Sequence, residues 1–457
     1  MVFNELLFFL GLLPISVLVS FFDRSAEYKN LILVLTSVIF VSWGKPLAVL
    51  LIFLTVISEY LLGLAVSKTR KGPLGAVLLL ADLAVNVCVL VLLGHNYIFA
   101  EDSALSLTSS VIPLGACWYT AKGFSYCFDV YAGNCKAEKN IFCLLTYMVC
   151  FHSLMAGPVV RYGDAEPLIR HRTVTGKMLN DGLVRFIIGL GKNVILAPAF
   201  NTIKLAGLAH ADTTLAGSWI GMLAFLGECW FTFTGLCDMA KGMGLLSGFE
   251  YEDNYRDLSV SQLFTGFVKS ANTTLIRFFE DVFARFGGSS TFMSSLGALI
   301  GCGLIALWYH ISKPFAAVGI AVGCVLFIER LFLNKLCRKM PAVIKGIYVF
   351  IVALPLLGGL YFSRFADYKH WLLSLIGQGN KYTLSVSMEN ALLGNVFLLI
   401  IAFVIVCAPV RKLLTGLVDK VEAGSEQGMA VCRLTKTLLT AGVLFLSVVA
   451  LAAQAVR

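Results

Sequence analysis

The chain alternates between long apolar stretches and short polar connections over nearly its whole length. Many of the apolar stretches reach or approach the roughly 18 residues that an α-helix needs to cross a hydrocarbon core. We assign apolar helices to residues 6–22, 30–43, 46–66, 74–94, 110–131, 140–160, 181–203, 215–249, 291–309, 314–333, 344–362, 390–409 and 434–455. This pattern predicts an all-α fold, a polytopic membrane protein with about 11–14 transmembrane or re-entrant helices.

The composition agrees with a membrane protein. Of the 457 residues, 58% are hydrophobic and 14% are charged, whereas charged residues make up roughly 25% of soluble domains. The formal net charge is +9, but the basic residues lie in short groups between the apolar stretches, as at Lys68, Arg70 and Lys71. Cytoplasmic loops of membrane proteins carry such groups. We therefore expect contact with membrane lipid and no nucleic-acid partner.

The 13 cysteines do not indicate a disulfide or metal framework. None of them forms a CxxC pair, and most lie inside apolar stretches, as Cys88, Cys143 and Cys302 do. Cysteines in such positions are usually small buried hydrophobes. The sequence therefore predicts no metal site.

Two segments in the middle of the chain break the apolar pattern. Residues 161–177 are basic, and residues 258–286 include charged residues such as Arg277 and Asp281. Charged segments at membrane depth must be buried in protein or line a wet cavity. We expect one membrane domain, 1–457, made of an N-terminal helical wall (1–110), a middle part that carries any chemistry (110–313) and a set of C-terminal helices (314–457).

Two of the six histidines are flanked by apolar residues at the expected membrane depth. His152 lies within the stretch 140–160, and His310 follows Trp308 and Tyr309 at the end of another. An imidazole in such a place must be hydrogen-bonded or line a polar path, and it is suited to act as a general base towards a hydroxyl. The alternative for each is a structural histidine that bonds to a backbone carbonyl.

Asp238 and Lys241 lie three residues apart inside the apolar stretch 215–249. This spacing places both side chains on one face of a helix, where opposite charges can pair. We expect a structural ion pair, with the lining of a tunnel as the functional alternative.

Several motifs occur in a fixed order along the chain. They cover residues 1–3, 8–10, 13–14, 28–43, 112–115, 125–131, 152–161, 231–249, 254–261 and 359–364. Together they resemble the membrane-bound O-acyltransferase family, and specifically its bacterial alginate O-acetyltransferase branch. The similarity extends over about residues 1–364, and it implies that family's helical bundle around a central tunnel.

The resemblance also implies roles for single residues. The family has an invariant histidine after a short aromatic patch, and an ungapped comparison carries it onto His310, which would remove the proton of the acceptor hydroxyl. His152 would orient the acceptor or bond the developing oxyanion. The residues expected to line the tunnel or contact the substrates are Trp308, Tyr309, Asp238, Lys241, Arg161 and Arg277. For Arg161, which could attract a phosphorylated donor, solvated surface is the alternative.

One segment departs from the family pattern. The family's Trp-Arg-Arg-Trp-His block should fall near residues 264–271, where this chain reads Phe-Thr-Gly-Phe-Val-Lys-Ser-Ala. The arginines and the histidine of that block therefore have no counterpart.

The resemblance implies an O-acetyltransferase of the bacterial cytoplasmic membrane. Such an enzyme relays acetyl groups across the membrane for the O-acetylation of an exported or cell-surface polysaccharide. No bound cofactor is expected, because acetyl-CoA or another acyl thioester is the donor substrate. A separate extracytoplasmic acetyltransferase is the expected partner protein.

Three alternatives remain open. The D-alanyl transfer branch of the same superfamily, which acts on teichoic acid, would share the fold. A catalytically impaired scaffold or export component would account for the missing arginine and histidine block. A transporter would be expected to show two similar halves with matched helix breaks, and no such internal repeat is evident in the sequence.

Overall fold

A computed structural model of the chain is built from helices, with one isolated antiparallel bridge between Tyr255 and Ala271. The residues that it describes are 5, 7–21, 25–43, 46–98, 116–154, 160–208, 214–257, 263–287, 290–309, 313–333, 340–362, 369, 373–378 and 384–456. The α-helices are α1 (Leu13–Phe21), α2 (Ala26–Ser42), α3 (Pro46–Thr69), α4 (Pro73–Ile98), α5 (Ala116–Ala132), α6 (Ile141–Val149), α7 (Tyr162–Arg170), α8 (Gly176–Gly191), α9 (Ala197–Leu208), α10 (Leu215–Leu246), α11 (Phe264–Ser270), α12 (Thr273–Gly287), α13 (Thr291–Tyr309), α14 (Lys313–Ile328), α15 (Ala342–Phe362), α16 (Val386–Val406), α17 (Ala408–Gly424) and α18 (Glu426–Val456). Wider π-helical turns lie at Phe8–Leu12, Lys192–Leu196 and Glu329–Leu333, and a tighter 3₁₀ turn lies at Phe151–Ser153.

Within the described residues, seven helical segments are long and apolar enough to cross a membrane. They are Val49–Thr69, Gly176–Leu208, Leu215–Leu246, Pro314–Leu333, Val343–Tyr361, Val386–Val406 and Glu426–Gln454. Shorter apolar helices lie at Phe8–Leu18, Pro73–Val89 and Thr291–Ala306. The prediction of an all-α, multi-pass membrane protein is therefore confirmed.

Polar side chains set where several helices begin. The Asn140 side chain accepts a hydrogen bond from the Phe142 amide at the start of α6, and Ser385 accepts one from the Met388 amide at the start of α16. Such caps satisfy amides that the first helical turn leaves unpaired. By fixing the start of α6, Asn140 also places the short turn after it, which carries His152.

The described part of the charged segment 258–286 forms α11 and most of α12, and neither helix is among the apolar segments long enough to cross a membrane. On α12, Ile276 and Phe278 are buried while Arg277 and Asp281 lie at the surface. This alternation is typical of a helix that packs one face on protein. The partner of α12 is α13, and Gly297 permits their close approach, because a Cβ there would lie 2.4 Å from the Phe279 carbonyl oxygen.

Besides α11 and α12, the structure contains two helices that the apolar pattern did not predict. Helix α7 lies within the basic segment 161–177, and α17 connects α16 to α18. Helix α17 has no buried residue, and its exposed side chains include Leu413, Leu417 and Lys412. Both helices are too polar for a search for apolar runs to detect them.

The chain falls into two compact units that interleave along the sequence. The first unit comprises Met1–Phe186, Met239–Asn254 and Asn272–Phe327; the second comprises Ile187–Asp238, Tyr255–Ala271 and Ile328–Arg457. The core of the first unit includes Phe8, Phe40 and Phe151, whose ring centroids lie 5.3–6.0 Å apart. A core cluster of the second contains Phe225 and Tyr361. The organisation as one domain with three consecutive parts stays a prediction.

Candidate functional site

His152 lies in the first unit, on the 3₁₀ turn after α6, and is fully buried. Its Nε2 is 2.7 Å from the sulfur of Cys150. The rings of Phe249 and Tyr251 lie against the imidazole, each with a centroid separation of 5.3 Å. The imidazole is thus held on one edge by a thiol and on its sides by aromatic rings.

The other ring nitrogen of His152, Nδ1, has no hydrogen-bond partner among the described residues. Leaving a buried polar atom unpaired costs about 1–3 kcal/mol, so such atoms are uncommon and often have a chemical role. If the thiol of Cys150 donates to Nε2, the neutral imidazole carries its proton on Nδ1 and can donate a hydrogen bond. The reverse tautomer would make Nδ1 an acceptor.

A buried lysine lies beside this turn. The Nζ of Lys122, on α5, donates to the Tyr147 carbonyl oxygen at 3.1 Å and to the hydroxyl of Ser153. The Ser153 hydroxyl in turn donates to the Cys150 carbonyl oxygen at 2.9 Å. Lys122, Cys150, Ser153 and Tyr251 line a small cavity with room for about one water molecule. Sequence reasoning missed Lys122, although a lone lysine inside the apolar stretch 110–131 was a signal for it.

A second buried cation, Arg172, lies in the same unit. Its guanidinium is 4.7 Å from the ring centroid of Phe249 and donates to the side-chain oxygen of Asn30. Asn30 in turn donates to the Ile169 carbonyl oxygen at 2.9 Å. The ring of Phe249 therefore contacts both Arg172 and His152.

The predicted catalytic base, His310, lies outside the described residues. Trp308 and Tyr309 belong to the last turn of α13, and their side chains are also outside the description. Their roles therefore stay predictions from the family resemblance.

Arg161 is bound by two carboxylates of the first unit. It forms ion pairs with Asp129 of α5 and, at 2.9 Å, with Asp281 of α12. Its guanidinium also lies 5.9 Å from the ring centroid of Phe278. These partners give Arg161 a structural part in joining α5 to α12, while contact with a phosphorylated donor stays a prediction.

Arg277 lies at the surface of the first unit. It pairs with Glu252 at 3.0 Å, and 48% of its side chain is exposed. Exposed pairs of this kind contribute roughly 0–1 kcal/mol to stability. The lining of a tunnel by Arg277 stays a prediction.

Asp238 and Lys241 were expected to pair with each other, but the ion pairs that the structure gives them are with other segments. Asp238 bonds to Lys192 at 2.6 Å and accepts a hydrogen bond from the Tyr255 hydroxyl at 2.8 Å. Lys241 pairs at 2.9 Å with Asp253, in the loop that follows α10. Burial alone would raise the pKa of Asp253, but its bond to Lys241 and the nearby guanidinium of Arg185 hold that pKa below its ordinary value.

Comparison with known proteins finds relatives over most of the chain. The probable alginate O-acetylase AlgI of Pseudomonas aeruginosa is 29% identical over 348 residues, which cover 72% of this chain and 66% of that protein. The protein of the same name from Azotobacter vinelandii is 27% identical over 369 residues, covering 78% and 74%. The peptidoglycan O-acetyltransferase of Helicobacter pylori is 23% identical over 399 residues, covering 77% and 75%.

The matched part spans just under two thirds of the length of the Pseudomonas aeruginosa relative. No protein-family profile matches the chain. The family resemblance inferred from the ordered motifs is confirmed by these relatives, whereas the site residues that it implies are not tested by them.

Proposed function

Because the chain is a divergent member of the membrane-bound O-acyltransferase family, in the alginate O-acetyltransferase branch, we propose that it is an O-acetyltransferase that modifies a polysaccharide. The observation that carries this proposal is the match, over 72–78% of the chain, to relatives named for O-acetylating alginate or peptidoglycan. We place the protein in the cytoplasmic membrane of a bacterium. It would relay acetyl groups to an exported or cell-surface polymer.

The proposed donor is acetyl-CoA or another acyl thioester, and the proposed partner is a separate extracytoplasmic acetyltransferase. A thioester made in the cytoplasm and a hydroxyl outside the cell are separated by the bilayer. A multi-pass protein can bring the two together, since polar groups are tolerated at membrane depth when they are buried in protein.

The transfer step needs a base and a group that stabilises negative charge. We assign the base to His310, which removes the proton of the acceptor hydroxyl while the hydroxyl oxygen bonds to the thioester carbonyl carbon. As the tetrahedral intermediate collapses, the carbon–sulfur bond breaks. His310 returns the proton to the sulfur, which leaves as a thiol. General-base catalysis of this kind contributes roughly 10²–10⁴-fold.

His152 is assigned the second role, stabilisation of the oxyanion or orientation of the acceptor. Its contact with Cys150 supports this assignment, because a thiol that donates to Nε2 leaves an N–H on the unpartnered Nδ1. A buried donor aimed at a developing negative charge is worth more than one in water. In this protein the donor is preorganised by the rings of Phe249 and Tyr251.

Replacement of His152 by alanine is expected to slow acetyl transfer by roughly 10²-fold without abolishing it, since one oxyanion donor is lost. The His152→Gln variant, whose amide can still donate, is expected to retain more activity than the alanine variant. Ester-linked acetate on the polymer measures the loss, with the amount of protein in the membrane as the control. If both variants keep the activity of the wild type, His152 is a packing residue and has no part in the transfer step.

The donor class is tested with isolated membranes that contain the protein. Labelled acetyl-CoA is expected to transfer its label to polymer or to a partner protein, and membranes from cells that lack this chain are expected to remain unlabelled. Labelling only from a carrier protein charged with D-alanine would select the teichoic acid alternative. Absence of label from both donors, with polymer export impaired in the deletion strain, would select the scaffold alternative.

A further inference from the structure

Three packed helices of the first unit bring two carboxyl groups and a thiol together. Helices α3, α4 and α5 contact one another pairwise, and they contribute Glu59, Asp82 and Cys127, respectively. All three residues are buried, and their potential ligand atoms lie within 4.8 Å of one another. No role in acetyl transfer has been given to any of them.

Among the described residues, the two carboxyl groups have no cationic partner. Glu59 and Asp82 are 1% and 0% exposed, and within the described part of the chain their side chains bond to Asn86, to Cys127 and to each other. Two carboxylates so close together cannot both stay ionised in an apolar interior without a compensating positive charge. The site therefore takes up either a proton or a metal cation.

The arrangement of Asn86 favours the cation. Its side-chain nitrogen donates to one oxygen of Glu59 at 2.7 Å and to one oxygen of Asp82 at 3.1 Å. The other oxygen of Asp82 is buried without a hydrogen-bond partner in the described structure, as is the side-chain oxygen of Asn86 itself. The Asn86 amide thus orients both carboxyl groups, as residues that hydrogen-bond to metal ligands do. The unpartnered oxygen of Asp82 is free to bind a cation.

Two more features complete the site. The sulfur of Cys127 is 3.2 Å from the second carboxylate oxygen of Glu59, and ligands of one tetrahedral zinc lie roughly 3–4 Å apart. Gly123 leaves space for the Glu59 carboxyl group, because a Cβ at that position would lie 2.6 Å from its oxygen. A larger residue at position 123 would displace the carboxylate from the thiol.

We propose that Glu59, Asp82 and Cys127 bind a divalent cation of the zinc class between α3, α4 and α5. The thiol favours zinc over magnesium and calcium, which prefer oxygen ligands. A zinc-bound cysteine is a thiolate, so the thiolate and one carboxylate balance the charge of the ion. The second acid keeps its proton and binds through its carbonyl oxygen, and the Asn86 carbonyl oxygen or a water molecule supplies the fourth ligand. The metal fixes the relative depth of three helices and has no part in acetyl transfer.

Metal content tests the proposal on the full chain in detergent. After incubation with Zn²⁺ and removal of loosely bound metal, the wild-type protein is expected to retain about one zinc per chain. Asp82→Asn and Glu59→Gln are expected to lose it. The matched control is Glu329→Gln, which changes an equally buried acid of the second unit that accepts from the Phe264 and Thr265 amides and is expected to keep the zinc.

A spectroscopic measurement identifies the sulfur ligand. Protein loaded with Co²⁺ is expected to show a sulfur-to-cobalt absorption band that is lost in Cys127→Ser and kept in Cys143→Ser, a change at another buried cysteine. In the wild type, Zn²⁺ but not Mg²⁺ is expected to raise the unfolding temperature. The proposal is wrong if the wild-type protein retains no more zinc than Asp82→Asn, or if all the variants keep the zinc. The two acids would then share a proton instead of binding a metal.

Discussion

Membranes that carry the His310→Ala variant are expected to lose acetyl transfer to the polymer by at least about 10²-fold, because the alanine cannot accept the proton of the attacking acceptor group. The measurement is ester-linked acetate per unit of polymer, at matched levels of the protein in the membrane. His310→Gln is expected to fail equally, because an amide is not a base at neutral pH. The loss is expected to exceed that of His152→Ala, whose role is to donate a hydrogen bond.

His171→Ala provides the matched control for this experiment. His171 is an exposed histidine that follows α7, and its replacement is expected to leave acetylation unchanged. If His310→Ala acetylates as well as the wild type, the catalytic assignment is wrong, and the scaffold reading, motivated by the missing arginine and histidine block, becomes the better one.

The largest loss of stability is expected for Asp238→Ala, at about 3–5 kcal/mol, because the change leaves the buried ammonium of Lys192 without its carboxylate. Lys192 and Asp238 are 9% and 4% exposed in their side chains and bond at 2.6 Å. Tyr255 donates to the same carboxylate and would lose this acceptor too. Denaturation in detergent, followed by helical circular dichroism, measures the free energy of unfolding.

Two comparisons separate the loss of the pair from general damage to the fold. The double variant Lys192→Met with Asp238→Leu is expected to be more stable than Asp238→Ala, since it leaves no uncompensated charge. Arg277→Ala, which breaks the exposed pair with Glu252, is expected to cost about 0–1 kcal/mol. A double variant as unstable as the single one would show that the side-chain shapes matter more than their charges.

The helical content and the membrane spans were predictable because they depend on local composition. A run of about 20 apolar residues has to be helical in a bilayer, where every backbone polar group must be bonded within the segment. The same reasoning does not find α7 or α17, whose sequences are polar. It also did not predict the 3₁₀ turn at Phe151–Ser153, since this turn depends on where α6 begins and ends.

Side-chain partners were much harder to predict than helices. The spacing of Asp238 and Lys241 predicted a pair on one helical face, but helical periodicity gives no information about residues on other segments. Lys192 is 46 residues from Asp238 in sequence, and Asp253 lies beyond the end of α10. The motif order located His152, yet its contacts with Phe249 and Tyr251 depend on tertiary packing.

The cluster of Glu59, Asp82 and Cys127 shows the same limit for metal sites. Each residue lies on a different helix, so no short spacing pattern connects the three. The sequence contains no CxxC pair, and this absence led to the prediction of no metal site. Scattered acids inside apolar helices are the signal that a search for CxxC pairs leaves out.

The π-helical turn at Lys192–Leu196 affects how this stretch should be aligned with its relatives. A π turn holds one residue more than the α-helical turn it replaces, and each α-helical residue rotates the chain by about 100°. A relative with a regular helix at this point must therefore have a one-residue gap. The gap has to fall within 192–196. If it is placed before or after this turn, the helical residues between the gap and the turn are aligned one position out of register, so that lipid-facing positions are compared with inward-facing ones.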